Sequence, residues 1–213
     1  MKLNLIGVNQ KTDKSSLLHN YLNFYEFFLS QFKDDGITLI ELGVGPENNK
    51  GKSLLTWQEY FKNAVIVGVD VRADCKELQN KNILIEIGDC SSIDFLGSLG
   101  KKYSPSIILD DASHKWSHQI LGFEILFPIL KNGGIYICED LGTSYPPASE
   151  KISWSDFHED AATYFIKLVN LVMGAGRMSH ATKDSTYTVM QQKLSLSIDY
   201  IACMNGAIVI KKK

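Results

Sequence analysis

Cysteine is scarce in this sequence of 213 residues, and its four cysteines lie far apart. Disulfide frameworks and structural zinc sites use cysteines at short, regular spacings, typically with a C-x-x-C pair. Cys75, Cys90, Cys138 and Cys203 form no such pair. The sequence therefore argues against both kinds of cross-link and indicates reduced thiols, as expected of a cytoplasmic protein.

Long hydrophobic runs and an excess of one charge are also missing. No segment approaches 18 consecutive apolar residues, and the apolar run after Met1 is too short for a signal peptide. The formal net charge is −2, and the only basic run is 211–213. We therefore expect a soluble protein, with neither a nucleic acid nor a membrane as a partner.

The sequence does contain an alternation of helical and strand-like segments. Apolar residues recur at helical spacing over 15–32, where Ser15 or Ser16 is expected to cap the helix. Short β-branched runs and helical patterns then alternate without a repeat or a linker, so we expect one domain, 1–213, whose helical segment 1–35 packs on or caps the functional site. The predicted strands are 38–42, 64–71, 83–87, 107–110 and 135–138, and the predicted helices are 53–61, 93–99, 118–130 and 157–173.

The C-terminal part breaks this alternation. Two strand-like runs, 194–204 and 207–213, are joined by Asn205-Gly206, which favours a two-residue hairpin because both positions accept a positive φ. The sequence thus predicts an α/β fold with a Rossmann-like, doubly wound, seven-stranded sheet that ends in an antiparallel hairpin. This arrangement resembles the class I methyltransferase fold, which binds S-adenosylmethionine, whereas a dinucleotide-binding domain would continue with parallel strands.

Acidic residues and glycines follow the first three core strands. The motif E-L-G-V-G at 41–45 ends the first strand, and its glycines let the backbone approach a ligand. Asp70 ends the second strand, where a carboxylate can accept from both ribose hydroxyls, and Asp89 follows the third, within reach of an adenine amino group. Asn48 replaces the third glycine of a dinucleotide fingerprint, so an adenosyl cofactor is favoured over NAD. The residues assigned to this cofactor are Glu41, Gly43, Gly45, Asp70, Asp89, Cys90 and Asp110.

Two acidic pairs follow the next two strands. Asp110-Asp111 and Glu139-Asp140 lie about 28 residues apart, the length of one strand–helix–strand unit. Such a unit returns the chain in parallel, so both pairs are expected at the edge where open α/β sheets bind ligands. His114 and His118 follow the first pair. This pattern predicts a divalent-metal site with a base beside it, and oxygen ligands favour Mg²⁺ first and Mn²⁺ or Ca²⁺ next.

Together these segments resemble the metal-dependent sugar O-methyltransferases of the macrocin and mycinamicin type. The resemblance implies that Asp111, Glu139 and Asp140 hold Mg²⁺ and that His114 is the general base. It also implies transfer of a methyl group from S-adenosylmethionine to a sugar hydroxyl of a small molecule or glycan. The motifs that carry it are T-D-K-S-S-L-L-H-N-Y-L-N-F-Y at 12–25, E-L-G-V-G at 41–45, G-K-S-L-L-T-W-Q-E-Y-F at 51–61, G-V-D-V at 68–71, G-D at 88–89, L-D-D-A-S-H-K-W-S-H-Q at 109–119 and E-D-L-G-T-S-Y at 139–145.

Adjacent strand residues point to opposite sides, so Asp110 and Asp111 are expected to play different roles. The resemblance selects Asp111 for the metal. His118 fits a helix cap better than a ligand, whereas His19 fits either the site wall or ordinary packing. The loop 143–153 is a candidate lid over the site.

The sequence also departs from the family pattern. Ala112 stands where the family has glycine, and the additional N-terminal domain of the macrolide enzymes has no counterpart here. Three alternatives stay open: a metal-binding relative of cephalosporin hydroxylases, a catechol-type O-methyltransferase and a non-catalytic binding protein. The acceptor is not identified by the sequence, and a homo-oligomer is compatible with it.

Overall fold

Seven strands form one mixed sheet in the computed structural model, which describes residues 2–151, 154–175 and 186–213. Their order across the sheet is β3-β2-β1-β4-β5-β7-β6. The first five strands are parallel, and β7 runs antiparallel to both β5 and β6. The predicted fold class is thereby confirmed. The strands are β1 (Thr38–Leu42), β2 (Val65–Asp70), β3 (Ile83–Ile87), β4 (Ile107–Asp110), β5 (Ile135–Cys138), β6 (Ile198–Met204) and β7 (Ala207–Lys212).

Helices cover both faces of this sheet. One apolar core packs beneath α1, α2 and α3, and a second packs beneath α4, α5, α6 and α7. No helix in the described part of the chain is both long and apolar enough to cross a membrane. The helices are α1 (Leu3–Gln10), α2 (Tyr21–Leu29), α3 (Lys52–Tyr60), α4 (Ile93–Tyr103), α5 (Trp116–Leu126), α6 (Ala161–Asn170) and α7 (Val189–Ser195).

The pleat of the strands divides their side chains between the two cores. In β4, Ile107 and Leu109 face the layer of α1–α3, and Ile108 faces the opposite layer. In β5, Ile137 faces the first layer and Cys138 the second. Because side chains alternate along a strand, this parity also sets which way the acidic residues after each strand point.

The N-terminal helical segment differs from the prediction for 15–32. Residues 12–20 form turns, and α2 begins only at Tyr21, where Asn20 has φ 58° and neither predicted serine caps the helix. Leu17 and Leu18 are largely exposed, so the apolar spacing does not continue as a buried stripe. Within the turns the backbone carbonyl of Lys14 accepts from the Leu22 N–H. Helix α1, which the sequence reading did not predict, packs against α3.

The C-terminal hairpin is present, with Gly206 at φ 78° in its turn. Residues 194 and 195 belong to α7, so β6 is shorter than the predicted strand 194–204. Helix α6 starts at Ala161 because the Asp160 carboxylate caps it by accepting from the Thr163 N–H. The candidate lid 143–153 includes positions 152 and 153, which lie outside the described residues.

Candidate active site

A cavity of about 660 Å³ lies at the carboxyl ends of the parallel strands. The chain leaves β1 and β4 in opposite directions across the sheet, and such a switch point is where open α/β sheets bind ligands. The cavity is lined by Asp13, Gly43, Gly45, Pro46, Asn49, Val69, Asp70, Val71, Arg72, Gly88, Asp89, Cys90, Asp111, Ala112, Ser113, His114, Lys115, His118 and Asp140. The predicted cofactor and metal regions therefore open into one space.

Asp70 stands at one end of this cavity. Its carboxylate accepts from the Val44 N–H at 3.2 Å and from the backbone N–H and Nε of Arg72 at 3.0 and 3.2 Å. Burial acts to raise the pKa of Asp70, but these hydrogen bonds outweigh it and hold the pKa below its ordinary value. Asp70 is thus an ionised hydrogen-bond acceptor at the cavity wall.

The neighbouring positions differ in charge. Asp89 accepts from the Ser91 N–H at 2.8 Å, and this bond lowers the pKa of its carboxyl group. Burial raises the pKa of the Cys90 thiol to about 12, so this side chain is uncharged and poorly nucleophilic at neutral pH. Gly43 and Gly45 both line the cavity with φ near 90°, in the left-handed region that favours glycine.

Two residues assigned to the cofactor do not reach the cavity wall. Glu41 is fully buried under α3, where it accepts from Ser53 Oγ at 2.9 Å and Trp57 Nε1 at 3.1 Å, and burial raises its pKa to about 7. Asp110 is buried on the opposite face of the sheet and accepts from the Tyr136 hydroxyl at 3.1 Å. Both carboxylates accept hydrogen bonds from protein side chains, and neither faces the cavity.

Three of the predicted catalytic and metal residues do come together. Asp111, His114 and Asp140 line the cavity, and each offers one ligand atom within 4.8 Å of the others. His114 Nε2 lies 3.5 Å from Asp140 Oδ2, and His114 Nδ1 lies 4.0 Å from Asp111 Oδ1. The buried Nδ1 has no hydrogen-bond partner. Two carboxylates beside an unpartnered imidazole nitrogen fit a divalent cation with a base next to it.

Glu139 is placed differently from Asp140. It is buried behind the cavity wall, where Oε2 accepts from Lys14 Nζ at 2.7 Å and Oε1 accepts from the Tyr25 hydroxyl at 3.0 Å. Lys14 also pairs with Asp111 and lies 3.8 Å from Glu41 Oε1. The structure thus brings Glu139 to a lysine and not into the group of atoms that lines the cavity.

Lys14 is the main site residue that sequence reasoning missed. Burial acts to lower the pKa of its ammonium group, but the carboxylates of Asp111, Glu139 and Glu41 outweigh burial and raise that pKa above its ordinary value. Its signal was the T-D-K at 12–14, a polar run before an apolar helix. This run belongs to the family-like motif at 12–25, but the motif by itself predicts no role for Lys14.

The other two histidines considered in the sequence analysis, His118 and His19, lie in different surroundings. His118 Nδ1 lies 2.7 Å from Ser113 Oγ, and His118 lines the cavity at the start of α5. His19 is exposed and stacks on Tyr21, with ring centroids 5.2 Å apart. The Tyr21 hydroxyl in turn donates to Asp140 Oδ1 at 3.3 Å. His19 therefore lies outside the cavity wall and contacts site residues through Tyr21 and, by its backbone N–H, through the Asp13 carbonyl at 2.9 Å.

This chain is similar to sugar O-methyltransferases. It is 36% identical over 135 residues to the 8-demethyl-8-alpha-L-rhamnosyl tetracenomycin-C 2'-O-methyltransferase of Streptomyces olivaceus. It is 31% identical over 142 residues to the mycinamicin VI 2''-O-methyltransferase of Micromonospora griseorubida. The two matches cover 62% and 64% of this chain and 35% of each relative. The resemblance predicted from the motifs is thereby confirmed.

The fold agrees with these matches. The MycE methyltransferase from the mycinamycin pathway, solved in complex with Mg, SAH and mycinamycin VI, superimposes with a TM-score of 0.82 at 21% identity. The superposition covers 100% of this chain and 54% of that one. No family model matches the sequence. The chain thus spans about a third of the length of its curated relatives and about half of the solved structure.

Proposed function

We propose that this chain is an S-adenosylmethionine-dependent, Mg²⁺-dependent O-methyltransferase that acts on a sugar hydroxyl. The observation that carries the proposal is the single cavity that joins Asp70 and Asp89 to Asp111, His114 and Asp140. A methyl transferase of this kind needs an adenosyl site and a site that activates a hydroxyl, and the two must share one space. The named activities of the relatives support the sugar as acceptor.

The cofactor end of the cavity suits an adenosyl group. Asp70 is held ionised by Arg72 and Val44, so its oxygens can accept from the two ribose hydroxyls. Asp89 lines the cavity one strand further along, and its carboxylate would accept from the adenine amino group. The uncharged Cys90 adds a surface that does not repel a sulfonium cation or trap its methyl group.

At the other end, Asp111 and Asp140 would hold the divalent ion. Such an ion supplies positive charge that lowers the pKa of a sugar hydroxyl and fixes its orientation. His114 lies beside both carboxylates, 3.5 Å from Asp140 through Nε2, and its imidazole would accept the hydroxyl proton. The sugar oxygen then bonds to the methyl carbon as the carbon–sulfur bond breaks, and S-adenosylhomocysteine leaves.

The first test is calorimetric titration with S-adenosylhomocysteine. We expect wild type to bind and Asp70→Asn to bind at least about tenfold more weakly, because a charged acceptor is lost. Asp74→Asn is the matched control, since Asp74 is exposed, pairs with Lys50 and lies outside the cavity. Absence of binding to wild type would remove the basis for a methyltransferase.

The second test is transfer of a radiolabelled methyl group. Purified protein with Mg²⁺ is offered phenyl α-L-rhamnoside and, in a parallel reaction, catechol. We expect label on the rhamnoside that disappears when EDTA replaces Mg²⁺. Label on catechol alone would instead assign the site to an aromatic acceptor, and label on both that persists in EDTA would refute the metal dependence.

A further inference from the structure

Arg72 follows Asp70 by two residues, at the point where the chain leaves β2. Its backbone N–H donates to Asp70 Oδ1 at 3.0 Å, which closes the local turn that an aspartate forms with the second residue after it. Its side chain returns to the same carboxylate, with Nε 3.2 Å from Oδ1. One residue thus contacts Asp70 through both its main chain and its side chain.

The guanidinium of Arg72 is itself anchored by two further groups. Nη2 donates to the Gly45 carbonyl at 2.5 Å and lies 3.3 Å from Sγ of Cys75, which is fully buried. Gly45 belongs to the loop after β1, and Cys75 to the short helical turn Ala73–Leu78 after β2. The planar fork of an arginine lets one side chain bond these groups and Asp70 at the same time, whereas a lysine has only one nitrogen.

We infer that Arg72 is a positioning residue for the cofactor: anchored on Gly45 and Cys75, it fixes the Asp70 carboxylate at the cavity wall and acts on cofactor affinity through that carboxylate. The contacts themselves are those of the protein alone. Their consequence for S-adenosylmethionine rests on the proposed function. Because Arg72 also lines the cavity, the test must separate action through Asp70 from direct contact with the ligand.

The charge of Asp70 depends on this anchoring. Its side chain is only 12% exposed, and burial alone would raise the pKa of the carboxyl group, whereas the bonds from Arg72 and Val44 lower it. Without the guanidinium the carboxylate loses a charged donor, so it should rotate more freely and take up a proton at a higher pH. The other charged or titratable groups near this pair are Glu47, Lys50, Asp74, Cys75, Asp89 and Cys90. Lys50, the cation among them, pairs with acids of the loop and of the helical turn and so does not replace Arg72.

The positioning role is tested by calorimetric titration with S-adenosylhomocysteine at pH 7. Arg72→Met should weaken binding about tenfold, because Asp70 loses the group that orients it. In the Asp70→Asn background the same change should cost less than about threefold, since the residue through which Arg72 acts is already altered. Lys101→Met is the matched control, because Lys101 is exposed on α4 outside the cavity, and its affinity should equal that of wild type. A loss of about tenfold in both backgrounds would show that Arg72 acts independently of Asp70 and would overturn the inference.

The dependence of this binding on pH separates positioning from a general loss of structure. Ionised Asp70 is the better acceptor for ribose hydroxyls, so affinity falls as the pH drops through the pKa of its carboxyl group. That pKa lies below its ordinary value in wild type, so wild-type affinity should change less than about twofold between pH 7 and pH 5, whereas that of Arg72→Met should fall about threefold or more. Arg72→Gln replaces Arg72→Met in both measurements if thermal denaturation shows the latter to be unfolded.

The outcomes distinguish this inference from the proposed function. If wild type binds no S-adenosylhomocysteine at any pH, the proposed function falls. If wild type binds and Arg72→Met has the same affinity and the same pH profile, only the role of Arg72 is refuted.

Discussion

Asp110 and Asp111 are consecutive in the sequence, yet their carboxylates lie on opposite faces of the sheet. Asp110 accepts from Tyr136 in the layer of α4–α7, while Asp111 pairs with Lys14 on the side of α1–α3. Only Asp111 lines the cavity. The pleat of β4 therefore assigns one acid to the sheet interior and the other to the site.

This separation predicts opposite outcomes for two variants of nearly identical chemistry. Asp111→Asn should weaken Mn²⁺ binding about tenfold or more, because it removes a charged oxygen that faces the cavity. Asp110→Asn should leave Mn²⁺ affinity within about threefold of wild type, since its side chain faces α5 and Tyr136. Calorimetric titration of both variants is the measurement. Equal losses of Mn²⁺ affinity in the two variants would mean that both carboxylates contribute to metal binding.

The sequence predicted that Asp110 and Asp111 point to opposite sides of the sheet, and it predicted much of the site. The strand-end acids Asp70, Asp89, Asp111 and Asp140 all line the cavity, as the alternation of strands and helices predicted. Glu41 was misread for a local reason: it stands inside β1, one position before the strand ends, so it is covered by α3. The predicted strand 38–42 already placed Leu42 after Glu41, but the pattern does not show that α3 covers the Glu41 side chain, because that contact depends on tertiary packing.

The sequence did not predict the burial of Lys14 or its ion pairs. Its conformation follows from contacts with residues about a hundred positions away, not from local spacing. The apolar residues after it fitted a helix from 15 to 32, whereas residues 12–20 form turns and α2 begins at Tyr21. Local propensity does not include the tertiary contacts of this segment, which is why the pattern did not predict the turns.

His114 is expected to dominate the chemical step. His114→Asn should lower kcat by roughly 10²–10⁴-fold, the usual contribution of a positioned base, with S-adenosylhomocysteine affinity little changed. Asparagine is the suitable replacement because His114 has φ 57°, a conformation that asparagine tolerates. The exposed His158 supplies a control variant, His158→Asn, expected to keep full activity. A loss below about tenfold in His114→Asn would assign the proton to another group.

Stability is expected to fall in acid partly through Glu86. Lys102 donates to its carboxylate at 2.6 Å and the Tyr103 hydroxyl also donates, so the folded-state pKa lies below its ordinary value near 4.5. The folded protein therefore binds this proton less readily than the unfolded chain. The contribution of Glu86 is complete above the unfolded pKa and disappears as pH falls through the folded pKa.

Comparison of wild type with Glu86→Gln isolates that contribution. The difference in unfolding free energy should be about 0.5–1 kcal/mol at pH 7, because Lys102 is largely exposed and solvent screens the pair. It should shrink as the pH falls below about 4. Urea titrations at several pH values measure it, and repetition in 1 M NaCl should reduce it further. A difference in unfolding free energy that does not change with pH would mean that Glu86 contributes through packing and not through its charge.

Two glycines should respond in opposite directions to alanine. At Gly43, φ is 89° and an added Cβ would lie 2.1 Å from the Asp111 carbonyl oxygen, so Gly43→Ala must displace the loop that carries Asp111. We expect it to lower both the Tm and the Mn²⁺ affinity. At Gly97, in α4, an added Cβ meets nothing within 4 Å.

Gly97→Ala is accordingly the matched control. Alanine at this helical position should raise the unfolding free energy by about 0.5–1 kcal/mol, because it restricts the unfolded chain without a clash. Its Mn²⁺ affinity should equal that of wild type, since α4 contributes no residue to the cavity wall. Denaturation and Mn²⁺ titration of both variants test this. If Gly43→Ala kept the Mn²⁺ affinity of wild type, Asp111 would hold its position although the backbone beside it had moved. The close contact between the Gly43 loop and the Asp111 loop would then not be needed for metal binding.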